Sequence, residues 1–211
     1  MLWLLPTYYI HDTHPLALFP FKLALMPTPQ QERRDRLKND YSQMNNIQQG
    51  SLLDWKPLKG QPPFVEKYEL TVSVKTIVGP EPSYRETNRI HLILPPGYPS
   101  QGTAPRAEMK SDPPPYHPNW YSSGRWCHGS WTISEGLGEF TIRMIRTLKY
   151  HSGITDPGDA ANSAAARWYR KRQNSDLFPC DEQTLPDPTD DSLNIKSESK
   201  NTGFDIISRD M

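Results

Sequence analysis

Apolar positions in this chain change period several times, and each change marks an element. Over residues 31–44 Leu37, Tyr41 and Met44 recur at spacings of four and three, which predicts a helix with one inward face. Arg33, Arg34, Arg36 and Lys38 cover the rest of that helix, and on charge pattern alone they read as a solvated face. Strand-like runs follow at 51–58, 65–78 and 89–94. In the second, Tyr68, Leu70, Val72 and Val74 alternate with polar residues, as expected of an antiparallel meander with one buried face. Turns fall at 79–83 and 95–99, and a short fourth strand is expected near 106–110. Helical period returns at 139–150, with Phe140, Met144, Ile145 and Leu148 inward, until Asp156-Pro157-Gly158 breaks it. Residues 160–172 are alanine-rich and helical, and Arg170-Lys171-Arg172 suits a helix C-terminus. A leading helix, a small antiparallel sheet and later helices make an α+β sandwich.

The two ends read differently. Residues 1–27 are apolar, but prolines, histidines and Lys22 interrupt them before any run reaches the roughly 18–20 apolar residues of a membrane span. No positive charge precedes Leu2 as a secretory signal requires, so residues 1–27 are expected to be an appendage and no membrane role is expected. Residues 173–211 carry three basic and nine acidic residues, 3 − 9 = −6, against a net charge of zero overall, which leaves +6 for residues 1–172. Rich in proline, serine and acid, this tail is expected to stay mostly unpacked. Prolines number 22 in 211 residues, which argues for long loops. No basic patch interleaved with aromatics stands out, so nucleic acid is not expected as a partner. Two distant cysteines, Cys127 and Cys180, give no disulfide framework and fit a reducing, cytoplasmic setting.

Chemistry concentrates in residues 116–131, Tyr-His-Pro-Asn-Trp-Tyr-Ser-Ser-Gly-Arg-Trp-Cys-His-Gly-Ser-Trp. Cys127 is the one good nucleophile there, because a thiol keeps some thiolate at neutral pH while a serine hydroxyl has essentially none. Arg125 and His128 beside it would favour the thiolate if their charges reached the sulfur. Asn119 precedes Cys127 by eight positions, across a turn of Ser122, Ser123 and Gly124, so the chain can fold back and bring the amide near the sulfur. There it could donate to an oxyanion at an attacked carbonyl. The bland alternatives stand beside this. A lone cysteine is most often a small buried hydrophobe, Asn119 can simply form a turn, and His117 before Pro118 can simply end a strand. A metal site from His117, Cys127, His128 and Cys180 has no supporting spacing, and no metal or other cofactor is expected.

His117-Pro118-Asn119 followed by Cys127 resembles the active-site signature of ubiquitin-conjugating enzymes. Tyr84, the run Ile90-His91-Leu92-Ile93-Leu94-Pro95-Pro96-Gly97-Tyr98-Pro99, Thr141-Ile142, and Asp159-Ala160-Ala161-Asn162 with Ala165, Ala166 and Tyr169 are similar to family features at matching intervals, so the likeness spans residues 31–172. Departures are Arg85-Glu86 for a glycine pair, Ala160-Ala161 for proline-leucine, a longer loop at 100–116 and an early Trp131. The pattern fits a divergent member, such as one from a prokaryotic ubiquitin-like conjugation system. The resemblance implies a catalytic domain over 28–172 with a helix, an antiparallel meander of about four strands, an active-site loop and C-terminal helices. It implies a Cys127 thioester of ubiquitin or a ubiquitin-like protein, delivered by an activating enzyme and passed to an acceptor amine, with a ligase and protein substrates as further partners. Asn119 would steady the oxyanion or brace the loop, and Asp159 would hold the incoming ammonium. His117, Pro118 and His128 would shape the active-site loop, His128 with the added option of tuning the thiol, and Arg33, Arg34, Arg36 and Lys38 would dock the activating enzyme. The rival from another class is the same fold with an inert site that binds a ubiquitin-like protein or scaffolds a conjugation complex.

Overall fold

The computed structural model describes residues 27–189 apart from 82 and 101. The expected N-terminal appendage therefore lies outside the described residues, save Pro27, as does the tail beyond Thr189. Helix α1 runs Pro29–Asn46. The Thr28 hydroxyl accepts the Gln31 N–H (3.2 Å), and Pro29 opens the first turn, where its missing N–H costs nothing. Leu37 and Met44 enter the core as the spacing predicts.

Strands β1 (Leu53–Lys59), β2 (Lys67–Val72), β5 (Asn88–Ile93) and β6 (Arg106–Met109) form an antiparallel four-stranded sheet in the order β1-β2-β5-β6. Between β2 and β5 a small ribbon pairs β3 (Thr76–Ile77) with β4 (Tyr84–Arg85). Opposite one another on the inner face stand Tyr68 and Leu92, then Leu70 and Ile90, all fully buried. Against that face lies α2 (Leu137–Leu148), whose Leu137, Phe140, Met144, Ile145 and Leu148 are in the same core cluster as the sheet residues. Each such side chain contributes about 1.5–3 kcal/mol on burial. Helix α3 (Ser163–Arg170) starts where the Asn162 side chain accepts the Ala165 N–H (3.1 Å).

Three expectations change. The single strand at 65–78 is broken after Val72, because backbone groups at 73–75 pair with loops and side chains. Ser73 N–H donates to Leu52 O (2.8 Å), Lys75 N–H to Asp181 Oδ2 (2.7 Å), and Val74 O accepts from Asn88 Nδ2 (3.0 Å). The charged face of α1 is only partly solvated. Arg33 donates to Pro95 O (2.9 Å) and pairs with Glu66 (2.9 Å), while Arg36 pairs with buried Asp40 (2.8 Å) and reaches the carbonyls of Ile133 and Glu135. Arg34 and Lys38 remain exposed, Arg34 with its guanidinium 3.9 Å from the Phe64 ring centroid. Asp40 also accepts from Tyr98 Oη (2.6 Å) and Leu137 N (3.1 Å), so one carboxylate ties α1, the 95–99 turn and the start of α2.

The third change is at the C-terminal side. The tail at 173–211 is expected to be mostly unpacked, yet in its described part Phe178 and Cys180 pack against a second cluster of Ile77, Tyr150, Trp168 and Tyr169, and Leu185 packs on the main core. Composition counts few apolar residues in this stretch. The few present fall where the body leaves apolar surface and unpaired backbone.

Candidate functional site

The segment around Cys127 is a short hairpin. Tyr121 N–H donates to Arg125 O (2.9 Å), Gly124 N–H to Tyr121 O (2.9 Å), and Cys127 N–H to Asn119 O (2.8 Å). Gly124 has φ of 84°, a conformation open to glycine without steric cost, and a Cβ there would sit 3.1 Å from Met109 O. The hairpin is stitched to the outer edge of β6, with Met109 N–H donating to Gly124 O (2.7 Å) and Trp126 N–H to Ala107 O (3.0 Å). Trp120 and Trp126, both buried, lie stacked beneath it. This is why eight residues of spacing bring Asn119 and Cys127 together.

Backbone contact is what they share. The Asn119 side chain turns to the next loop, where Nδ2 donates to Asp156 O (3.0 Å) and more weakly to Asp159 O (3.5 Å), and Oδ1 accepts the Asp156 N–H (2.9 Å). The buried amide is thus fully occupied. His117 is completely buried. Its Nδ1 accepts the Asn119 N–H (2.9 Å), its ring lies 4.1 Å from that of Tyr150, and Nε2 is 3.5 Å from Thr155 Oγ1. Burial pushes its pKa down to about 3, so it is neutral and serves as a fixed acceptor. Pro118, also buried, offers its carbonyl to Asn162 N–H (3.0 Å) and so joins the hairpin to the start of α3.

Cys127 is part-exposed and carries a free thiol. It opens onto a cleft of about 430 Å³ that also receives Asn119, His128, Arg143, Asp156 and Asp159. A second depression of about 250 Å³ on its other side is lined by Arg106, Tyr121 and Arg125. Asp159 is exposed at the cleft, with its N–H on Asp156 Oδ1 (3.3 Å). Asp156 Oδ1 also takes the Gly158 N–H (2.7 Å), a side-chain-closed turn that holds the Asp159 backbone.

His128 lines the cleft beside Cys127. Half-buried against Trp126 (5.9 Å) and Phe140 (5.5 Å), it has its pKa lowered by burial first and by Arg143 second. Its neutral ring shapes the cleft wall. Arg125 stacks on Tyr121 at 4.5 Å. Sequence reasoning missed Arg143, which pairs with Glu135 (2.6 Å) and donates to the His128 carbonyl, holding the loop after Cys127 onto α2. It also missed Asp156, whose Asp-Pro-Gly signal reads as a helix stop, and Tyr150 beneath His117. Cys180 lies far from this chemistry. Burial, then Asp181, pushes its thiol up to about 12, and its S–H donates to Lys75 O (3.1 Å).

No family model matches the sequence, and no curated protein sequence does. Among solved structures the chain is similar to S. cerevisiae Ubc12, at 18% identity over 66% of this chain and 72% of that one, with a TM-score of 0.46. It is also similar to human ubiquitin-conjugating enzyme E2 G1, at 18% identity over 57% of this chain and 96% of that one, with a TM-score of 0.42.

Proposed function

We propose that this chain is a ubiquitin-conjugating-enzyme-like acyl carrier, with Cys127 as the carrier thiol. The observation that carries the reading is a part-exposed thiol on a rigid hairpin, in one cleft with the exposed Asp159. The helix, meander, hairpin and helices occur in the order implied by the sequence resemblance, and no other chemistry-bearing cluster in the described residues competes.

In the first step the Cys127 thiolate attacks the thioester carbonyl of the activated ubiquitin-like protein. A new C–S bond forms, the old one breaks, and the activating enzyme's cysteine leaves as thiolate. In the second step an acceptor amine attacks the Cys127 thioester, an amide forms, Cys127 leaves as thiolate, and the amine proton passes to Asp159 or water. Asn119 braces the cleft, since both hydrogens of its amide are already donated, and its contribution is geometric. His117 and Pro118 hold the turn and His128 the wall. Arg34 and Lys38 are the exposed cations of α1 left to meet an activating enzyme, while Arg33 and Arg36 hold α1 in place for it. A ligase and protein substrates complete the partner set.

The test is charging. Wild type, Cys127→Ser and Cys127→Ala are incubated with a ubiquitin-like protein, an activating enzyme from the same genome and ATP, then run on non-reducing gels. The expected result is a thiol-sensitive adduct on wild type, a thiol-resistant one with serine and none with alanine. Binding of the ubiquitin-like protein without any adduct would overturn the carrier reading in favour of an inert recognition module.

A further inference from the structure

Residues 173–189 form a strap, and its contacts converge beneath the Cys127 hairpin. Tyr150 follows α2 with φ of 60°, where a helix usually places glycine and where a tyrosine is strained. Three contacts hold it in that conformation. Its hydroxyl donates to Tyr116 O, its ring meets His117 at 4.1 Å, and Phe178 of the strap meets that ring at 4.7 Å. From His117 the contacts continue to the Asn119 N–H, and from Asn119 O to the Cys127 N–H. The strap is anchored on both sides of this stack. Cys180 N–H donates to Lys149 O (3.0 Å) and its S–H to Lys75 O, Asp181 takes the Lys75 N–H and pairs with Lys149 (3.7 Å), and Gln183 Nε2 donates to Ser73 O (3.1 Å).

We infer that Phe178 and Tyr150 are positioning residues for Cys127, and that the strap is part of the machinery that holds the hairpin. The catalytic consequence rests on the carrier reading above; the positioning itself does not. Tyr169 and Trp168 of α3 also pack on Tyr150, at 5.5 and 6.3 Å, so losing the Phe178 ring loosens the stack without emptying it.

The experiment is hydrogen exchange on the full chain with Phe178→Ala, alongside iodoacetamide alkylation of Cys127. Exchange at the Asn119 and Cys127 amides should rise about tenfold or more while the β2 and β5 amides stay at their wild-type rates, as local opening requires. The alkylation rate at Cys127 should change with it, and Phe178→Tyr, which restores the ring, should return both values to wild type. Phe178→Leu keeps apolar cover but not the stacked ring and carries the same expectation as alanine, so an alanine variant that fails to fold does not decide the matter. Unchanged exchange at Asn119 and Cys127, or an equal rise in the sheet, overturns the inference. If the exchange result stands and wild type cannot be charged, the carrier reading fails and the positioning role survives. If wild type charges and Phe178→Leu charges equally well with unaltered exchange, the positioning role fails alone.

Discussion

Cys127 and Cys180 lie in two proline-bearing segments, one rich in aromatics and the other acidic, that are held by opposite means. The hairpin at 116–131 closes on itself, through a glycine turn and the Asn119–Cys127 backbone bond, and only then docks on β6. The strap at 173–189 is anchored largely by groups it meets elsewhere: Lys75, Lys149, Ser73 and the ring of Tyr150. Self-closing segments keep their shape and can leave a thiol open to solvent. Cys180 in the strap is part-exposed, as Cys127 is, but its S–H is engaged by Lys75 O (3.1 Å) and the pKa of its thiol is raised by burial.

The sharpest way to break that contrast is thiol reactivity. In the native chain at pH 8, a disulfide reagent should titrate Cys127, while Cys180, with its thiol raised to about 12, should react about a thousandfold slower than it does in denaturant. Two rapidly titrating thiols would mean that the contacts of Cys180 do not hold its thiol in place. Next in size is Asn119→Ala, which cuts the clasp on Asp156 and strands its backbone groups. Urea unfolding should show a loss of about 1–3 kcal/mol. A neutral result would detach the hairpin from the 156–159 loop.

Acid sensitivity comes third. His117 has its folded pKa depressed below the unfolded value near 6.5, so below that value the unfolded chain binds a proton that the folded chain refuses. Stability should therefore fall as pH drops from about 6.5 toward 3, by at most about 1.4 kcal/mol per pH unit from this group. His117→Gln should flatten that slope in urea titrations at each pH, and an unchanged slope would mean that the ring is not sealed. Smallest is Asp181→Asn on the strap, which keeps shape and removes charge. The pair with Lys149 is long (3.7 Å) but nearly buried, so a loss of about 1–2 kcal/mol is expected, read by the same unfolding curves.

Much of the frame was legible because it obeys simple periods. Tyr68, Leu70, Ile90 and Leu92 alternate as strands must, and Phe140, Met144, Ile145 and Leu148 repeat as a helix must. Apart from the strand expected over 65–78, which ends at Val72, each of these elements appears within a few residues of its expected bounds. The hairpin was legible for another reason. Ser122, Ser123 and Gly124 between Asn119 and Cys127 are turn chemistry, and turn chemistry is local. Illegible were the charges. Arg33 and Arg36 carry the same sequence signal as Arg34 and Lys38, yet carbonyls over 60 positions away decide that the first pair is pinned. The partner of the Asn119 amide was equally hidden, because Asp156 lies 37 positions later.

By itself the sequence determined the elements, the fold class and the meeting of Asn119 with Cys127, since periodicity and turn formation act between near neighbours. Only the tertiary structure decided which arginines are free, which histidine stays neutral, where the long strand breaks and that residues 173–189 pack. Those outcomes depend on burial and on partners far along the chain, and a charge or a carbonyl has no preference for either until the fold supplies them.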